Sequence, residues 1–256
     1  MNRAKSINEN PELIRKIVYA IDKAVTQDVP QDKRENRLET NNRQNFASGD
    51  YINDNLRKNV ARGSIKLIPF KRYSWHGRII VDPENKVTYT ISTHQTLKTV
   101  IEKHKNKPHR SKPHYLETIL HVENGDCEGV LKQMTFGDIS PDFEKDIFDA
   151  ETIEEDFDKI MQGGIGRIDG YKHYIIAYTA EYNAIIKIDL YLLDKDFDVV
   201  DKLDLIEYVT PDFASLTETQ YQEIEELEES KVEEKPLLLK LRHGVKPALR
   251  VVKEKA

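Results

Sequence analysis

The sequence predicts an α+β fold, in which helices flank an antiparallel sheet made of a β-hairpin and a C-terminal meander. Some segments carry apolar residues at helical spacing, whereas others are rich in β-branched and aromatic residues. The strand-like runs of residues 171–206 are joined by short polar turns, which are too short for the crossovers that parallel strands require. These patterns together favour sheet and helix in separate stretches of the chain.

The first predicted helix covers about residues 11–27. Asn10 can cap it and Pro11 suits its first position. An apolar stripe then follows at helical spacing: Leu13, Ile14, Ile17, Val18, Ile21 and Val25. Residues 28–59 are polar and poor in large apolar side chains, which indicates either a solvated helix or a mobile connection.

A β-hairpin is predicted next, with strands over residues 72–81 and 87–92. Pro83 lies at the second position of the turn between them. Thr93 or Ser92 can then cap a helix over residues 94–106.

The remaining elements follow from the same patterns. Pro113 opens a short helical stretch, and residues 142–162 are acidic with a helical apolar face. The meander consists of three strand-like runs, 171–180, 184–194 and 197–206.

Composition divides the chain into four predicted segments. Residues 1–125 form a basic domain of helix, hairpin and helix, and residues 126–212 form an acidic domain with the meander. An acidic helix over 213–235 and a basic tail over 236–256 follow. The first two segments can also share one core.

Charge comes in three blocks of alternating sign. Residues 1–120 hold 23 Lys and Arg against 13 Asp and Glu, and residues 121–235 hold 10 against 31. Residues 236–256 hold 6 against 1. Such asymmetry points to charged partners, namely a protein or a nucleic acid, or to mutual neutralisation of the blocks within one chain or across a homodimer.

The bulk composition favours a cytoplasmic protein. One cysteine, Cys127, allows no internal disulfide, which suits a reducing compartment. The first residues lack the apolar core of a signal peptide, and no run approaches the roughly 20 apolar residues of a membrane span. We therefore expect no membrane association.

The basic block supplies candidate contacts to nucleic acid or to an acidic partner. Cations attract phosphates, and exposed aromatic rings stack on unpaired bases. The candidates are Arg57, Arg62, Lys71, Arg72, Trp75, Arg78, Lys105, Lys107 and Arg110. The alternative is a solvated surface with an aromatic core beneath it.

The acidic block supplies a candidate face for a basic partner. Rows of carboxylates at helical spacing can occupy a cationic groove. This face would consist of Asp142, Glu144, Asp149, Glu151, Glu154, Glu155 and Asp158. The alternative is a solvent-facing helix or one packed against the chain's own basic block.

Six of the eight histidines lie between residues 76 and 121. Histidine is the usual general acid or base near neutral pH, so a histidine-dependent RNase-like toxin is a second functional hypothesis. Its catalytic residues would be His76 or His114 with Arg78 and Tyr115. The histidine spacing does not predict a metal site, and no motif predicts a cofactor.

Three short motifs resemble an uncharacterised family of Gram-positive bacteria and their phages. They are Trp75-His76-Gly77-Arg78, Pro113-His114-Tyr115-Leu116 and Lys202-Leu203-Asp204-Leu205. The resemblance covers residues 60–210 and implies a setting of phage or mobile-element conflict. The leading hypothesis is therefore a non-enzymatic binding protein that regulates or inhibits a macromolecular machine, its partner being a nucleic acid or a protein that handles nucleic acid.

Overall fold

A six-stranded open sheet forms the centre of the computed structural model, which describes residues 10–36, 44–72, 75–106, 112–127, 148–161 and 170–209. The strands lie in the order of the sequence. They are β1 (Lys66–Arg72), β2 (Trp75–Asp82), β3 (Val87–Thr93), β4 (Lys172–Glu181), β5 (Ala184–Leu193) and β6 (Val199–Asp204). Neighbouring strands are antiparallel except β3 and β4, which are parallel.

Helices cover both faces of this sheet. They are α1 (Pro11–Lys23), continued by a π-helical turn (Ala24–Asp28), α2 (Val29–Asn36), α3 (Gln44–Asn59), α4 (His94–Lys105), α5 (Tyr115–Glu123) and α6 (Ala150–Met161). The predicted α+β class with flanking helices is confirmed. None of the helices described is long and apolar enough to cross a membrane.

Two helices are capped by the side chains that the sequence predicts. The Asn10 side chain accepts a hydrogen bond from the amide of Leu13, and the Thr93 side chain accepts one from the amide of Thr96. The hairpin turn between β2 and β3 is held by Asp82, whose Oδ1 accepts from the amides of Glu84 and Asn85.

Two apolar layers pack against the sheet. On one face α1 and α3 bury their apolar side chains against β4 and β5. On the other face α4, α5 and α6 pack against β1, β2 and β4. The crossover between the parallel strands β3 and β4 carries the second set of helices, as such a connection requires.

The interpretation of residues 28–59 as a solvated helix or a mobile connection is wrong for residues 44–59. These residues form α3, which packs on α1 and buries Ile52 and Leu56, and Val60 is buried just beyond its end. Three apolar residues spaced four apart are enough to attach a helix, although they are sparse among polar neighbours.

The sheet takes three strands from residues 1–125 and three from residues 126–212. All the residues described belong to one unit, Met1–Val209. The predicted acidic helix over 213–235 and the basic tail over 236–256 lie outside the described residues.

A buried polar network joins β3, β4 and α5. The ring nitrogens Nδ1 and Nε2 of His173 lie 2.7 Å from Thr88 Oγ1 and 2.8 Å from Thr90 Oγ1. Glu123 accepts a hydrogen bond from the Thr88 hydroxyl, and its Oε1 is buried without a partner. Burial raises the pKa of Glu123 to about 8 and lowers the pKa of His173 to about 3. Both groups are therefore mainly uncharged in the folded protein at neutral pH.

We expect the free energy of unfolding of Glu123→Gln to fall less with rising pH than that of the wild type. Because the folded pKa of Glu123 lies above the unfolded one, this group keeps its proton between pH 4.5 and about 8 only in the folded state, and its contribution to the free energy of unfolding falls as pH rises through this interval. His173 makes the opposite contribution below pH 6.5 in both the wild type and the variant, so the difference between the two proteins isolates Glu123. The variant keeps the neutral form, so its Tm should exceed that of the wild type at pH 8.5 by about 5 °C or more.

Thermal unfolding followed by circular dichroism at pH 5 and pH 8.5 measures this difference. Glu181→Gln, at an exposed carboxylate of β4, is the control and should follow the wild type at both values. An equal decline in the wild type and in Glu123→Gln would contradict the assignment.

Candidate functional site

A groove opens where β2 and β3 part. Residues 80–82 of β2 pair with residues 87–89 of β3. The first half of β2 is paired with β1, and the second half of β3 is paired with β4. Residues of both halves line a cavity of about 490 Å³, and residues of α3 and of the start of α5 complete its lining. We call it the aromatic cavity.

Two further cavities adjoin the aromatic cavity. One, of about 400 Å³, lies between α3, β1 and β2 and shares Asn53 and Arg78 with it; we call it the cationic cavity. The other, of about 490 Å³, lies beside the β4–β5 hairpin and shares Ser48, Thr93 and Tyr178 with it; we call it the hairpin cavity. The three cavities together form the groove. The aromatic and hairpin cavities lie near the carboxyl ends of β3 and β4, the position at which parallel strands commonly place ligands.

An aromatic cluster forms one wall of the groove. Trp75 stacks on Tyr115 with ring centroids 5.4 Å apart and an interplanar angle of 27°, and Phe70 meets Trp75 edge-on at 5.3 Å. Phe70 and Tyr115 are buried, whereas Trp75 is 42% exposed. The indole is therefore held by its neighbours and still offers surface to a ligand.

Gly77 makes this packing possible. A Cβ at this position would lie 2.5 Å from the Trp75 ring and 2.7 Å from the Phe70 ring. Any side chain at Gly77 would therefore displace the two rings. Gly77 belongs to the Trp75-His76-Gly77-Arg78 motif. The close approach of the two rings explains why this position of the motif is a glycine.

Cations line the opposite side of β2. Arg78 and Lys71 line the cationic cavity and have no ion-pair partner among the residues described. Arg57 also lines it but pairs with Asp54 at 2.9 Å. Asp50 is a second acid in this cavity, so the excess of positive charge is modest.

Arg72 joins the two charge blocks. It lines the aromatic cavity, and its guanidinium forms an ion pair with Asp156 of α6 in which both side chains are mostly buried. Asp156 Oδ2 also accepts a hydrogen bond from the Thr118 hydroxyl at 2.6 Å. Part of the basic block is thus neutralised within the chain, as one of the sequence-based alternatives expects.

The other predicted binding residues lie apart from the groove or outside the described ranges. Arg62 and Lys105 are exposed and do not line the three cavities. Lys107 and Arg110 lie outside the described residues.

The acidic face is partly described. Glu151, Glu154, Glu155 and Asp158 are exposed on α6. Asp149 is exposed just before this helix, and its Oδ1 accepts from the amide of Thr152 at 2.7 Å. Asp142 and Glu144 lie outside the described residues.

The structure brings the proposed catalytic residues to the groove and engages two of them, His114 and Tyr115, in structural roles. Arg78, His114 and Tyr115 line the aromatic cavity, and His76 lines the cationic cavity. His114 Nδ1 accepts from the amide of Leu116 at 3.3 Å and caps α5. Burial raises the pKa of Tyr115, so its hydroxyl keeps its proton near neutral pH.

Sequence reasoning missed a polar cluster at the start of α4. His94 Nε2 lies 2.8 Å from Asp189 Oδ2, and His94 Nδ1 lies 2.9 Å from Thr179 Oγ1. Burial tends to raise the pKa of Asp189, but hydrogen bonds from Lys202, His94 and Tyr191 outweigh it, so the pKa lies below its ordinary value. An aspartate within the apolar run of β5 was the available signal.

The α3 wall of the groove was also missed. Ser48, Gly49, Ile52 and Asn53 line the aromatic cavity, although their segment reads as solvated in the sequence. Within the described ranges, no group of three or more His, Cys, Asp or Glu side chains is placed to hold a metal ion.

We expect Gly77→Ala to destabilise the protein by about 1–3 kcal/mol, because the added methyl group overpacks the aromatic cluster. Trp75 is the one tryptophan of the chain, so its emission should shift towards the red as the ring is displaced. Urea unfolding and fluorescence spectra measure both effects.

Gly49→Ala is the matched control. A Cβ at Gly49 would meet nothing within 4 Å, and the residue lies inside α3. This variant should gain about 0.5–1 kcal/mol from helix propensity and keep the Trp75 emission. Equal stability of the two variants would contradict the role of Gly77.

Comparison with known proteins bears on the family and not on the chemistry of the groove. No curated protein and no solved structure matches the chain. One family model matches residues 4–255, a longer stretch than the resemblance over 60–210 that the sequence motifs carry. The chain therefore belongs to the Family of unknown function (DUF5986).

Proposed function

We propose that this protein binds single-stranded nucleic acid in the groove between β2 and β3. Unpaired bases stack on Trp75, and phosphates of the same strand that reach the other side of β2 pair with Arg78 and Lys71. The observation that supports this proposal most is a half-exposed tryptophan, fixed by Gly77 and Tyr115, in a groove that also holds unpaired cations.

Stacking supplies the main part of the affinity. A base on an aromatic ring contributes about 1–3 kcal/mol and does so with any base. Trp75 loses little side-chain entropy on binding because Phe70 and Tyr115 already hold it. Bases in a duplex are already stacked and present no free face, so the groove favours unpaired strands.

Electrostatics supplies a smaller part. With Arg57 paired to Asp54 and Arg72 paired to Asp156, two cations of the groove remain for phosphates, Lys71 and Arg78. Two neutralised phosphates give a slope of about −1.4 in a plot of log K against log salt for single strands. The interaction should therefore weaken with salt, but less steeply than for a strongly basic protein.

We further propose that binding serves to regulate or inhibit a macromolecular machine in phage or mobile-element conflict, in the cytoplasm. The exposed carboxylates of α6 offer a second surface for a basic protein partner, at a site apart from the groove. A homodimer in which α6 of one copy meets the cations of another is compatible with the same charges.

The RNase hypothesis remains as a second candidate function. Arg78 and His114 line one cavity, so an arginine and an imidazole border the same space. His114→Asn separates the two functions, since asparagine can still cap α5 but cannot exchange a proton near neutral pH. We expect labelled RNA to remain intact with the wild type and with this variant. Cleavage by the wild type that His114→Asn abolishes would favour the enzyme instead.

Fluorescence anisotropy with labelled single-stranded RNA and DNA of about ten nucleotides tests binding. We expect Trp75→Ala to weaken affinity about tenfold or more, and Trp75→Phe to retain part of it. Lys71→Ala should weaken affinity a few-fold and lower the salt slope. Gly49→Leu, which fills open space of the aromatic cavity, should also weaken binding without unfolding the protein.

Two matched controls accompany these variants. Lys66→Ala removes an exposed cation at the other end of β1, and Tyr19→Ala removes an exposed ring on α1. Both should bind as the wild type does. Wild-type binding that is absent, or that Trp75→Ala and Gly49→Leu leave unchanged while melting curves stay normal, would contradict the proposal.

A further inference from the structure

The tip of the β4–β5 hairpin carries an aromatic residue in a strained conformation. Tyr182 and Asn183 both have positive φ, 50° and 63°, as the two central residues of a type I′ turn require. Glycine and asparagine suit such positions, whereas a bulky aromatic residue is strained there. The Tyr182 side chain is 99% exposed, so it gains nothing from packing that would offset this strain.

Tyr182 lies at one end of the groove. It lines the hairpin cavity together with Thr179 and Gln95. This cavity adjoins the aromatic cavity through Ser48 and Thr93. The groove therefore leads from the Trp75 ring to the Tyr182 ring.

The sheet gives the scale of that separation. Trp75 and Tyr182 lie on strands two places apart, and Tyr182 extends four residues beyond Tyr178, the partner of Thr93. Strand spacing and residue rise place the two backbones on the order of 15 Å apart. A stacked single strand at about 3.4 Å per nucleotide covers this distance with about four nucleotides.

We infer that Tyr182 is a second stacking platform, which binds a base about four nucleotides along the strand from the base on Trp75. The inference rests on the proposed function, because it assigns a second contact to the same ligand. Tyr182 lowers the stability of the turn because its backbone is strained and its ring is exposed. The same ring raises the affinity for the ligand, which explains why an aromatic residue is found here.

Two substitutions of Tyr182 and one of Asn183 test the inference. Tyr182→Gly relieves the strain of the turn and removes the ring, so it should raise Tm and weaken binding of a ten-nucleotide strand about tenfold. Tyr182→Trp keeps a ring and should retain the wild-type affinity. Asn183→Gly, the matched control, changes the neighbouring turn residue and keeps the Tyr182 ring. It should retain affinity and leave Tm near that of the wild type, because asparagine already suits this position.

Oligonucleotide length supplies the second readout. Affinities are measured by anisotropy competition with unlabelled RNA and DNA strands of two to ten nucleotides. Wild-type affinity should rise steeply up to about four to six nucleotides, whereas affinity of Tyr182→Gly should level off at two or three. Trp75→Ala should weaken binding at every length.

The outcomes separate the two proposals. If the wild type binds no strand, the proposed function fails and the second platform fails with it. If Trp75→Ala weakens binding while Tyr182→Gly matches the wild type at all lengths, only the second platform is wrong. A fall in Tm for Tyr182→Gly would show that the ring has a structural role and would overturn the inference as well.

Discussion

The parting of β2 and β3 after three paired residues is the constraint on which the groove depends. Had the hairpin continued in register, the space between Trp75 and Thr93 would be filled by strand pairing. Packing maintains the separation from both sides. Trp75 lies over Gly77 against Phe70 on the face of α5, and Asn53 of α3 donates to the carbonyl of His76 on the other face. The groove is thus a product of close packing on β2.

Arg72 and Asp156, one from each charge block, form a largely buried ion pair, whereas other charged side chains of both blocks are on the surface. Arg72 and Asp156 bind the basic block to the acidic block at a largely buried position, and Thr118 satisfies part of the carboxylate. Beyond this pair, α6 turns its carboxylates to solvent, while Lys71 and Arg78 face the groove. The alternating blocks therefore act twice, in holding α6 against β1 and in leaving surfaces of opposite sign available for partners.

Local elements could be predicted from the sequence because short-range chemistry determines them. Asn10, Thr93 and the Asp82 turn act within a few residues of their own positions. Non-local pairings could not be predicted in the same way. The parallel contact of β3 with β4 joins segments that are about 80 residues apart, and no single residue marks it.

In the site, Trp75, Arg78, His114 and Tyr115 were identified by residue type, whereas the α3 wall was missed because its sparse apolar residues resemble a solvated helix. The network of Asp189 was missed for a related reason, since its partners come from three separate elements.

The central claim is that a base occupies the exposed surface of Trp75, and the emission of this residue measures it most directly. Trp75 is the one tryptophan of the chain, so intrinsic fluorescence reports on this position without a label. Titration with an unlabelled single strand should quench the emission to saturation, and the same sequence as a duplex should leave it nearly unchanged. Binding of the single strand with no change in Trp75 emission, or equal quenching by single strand and duplex, would contradict the account.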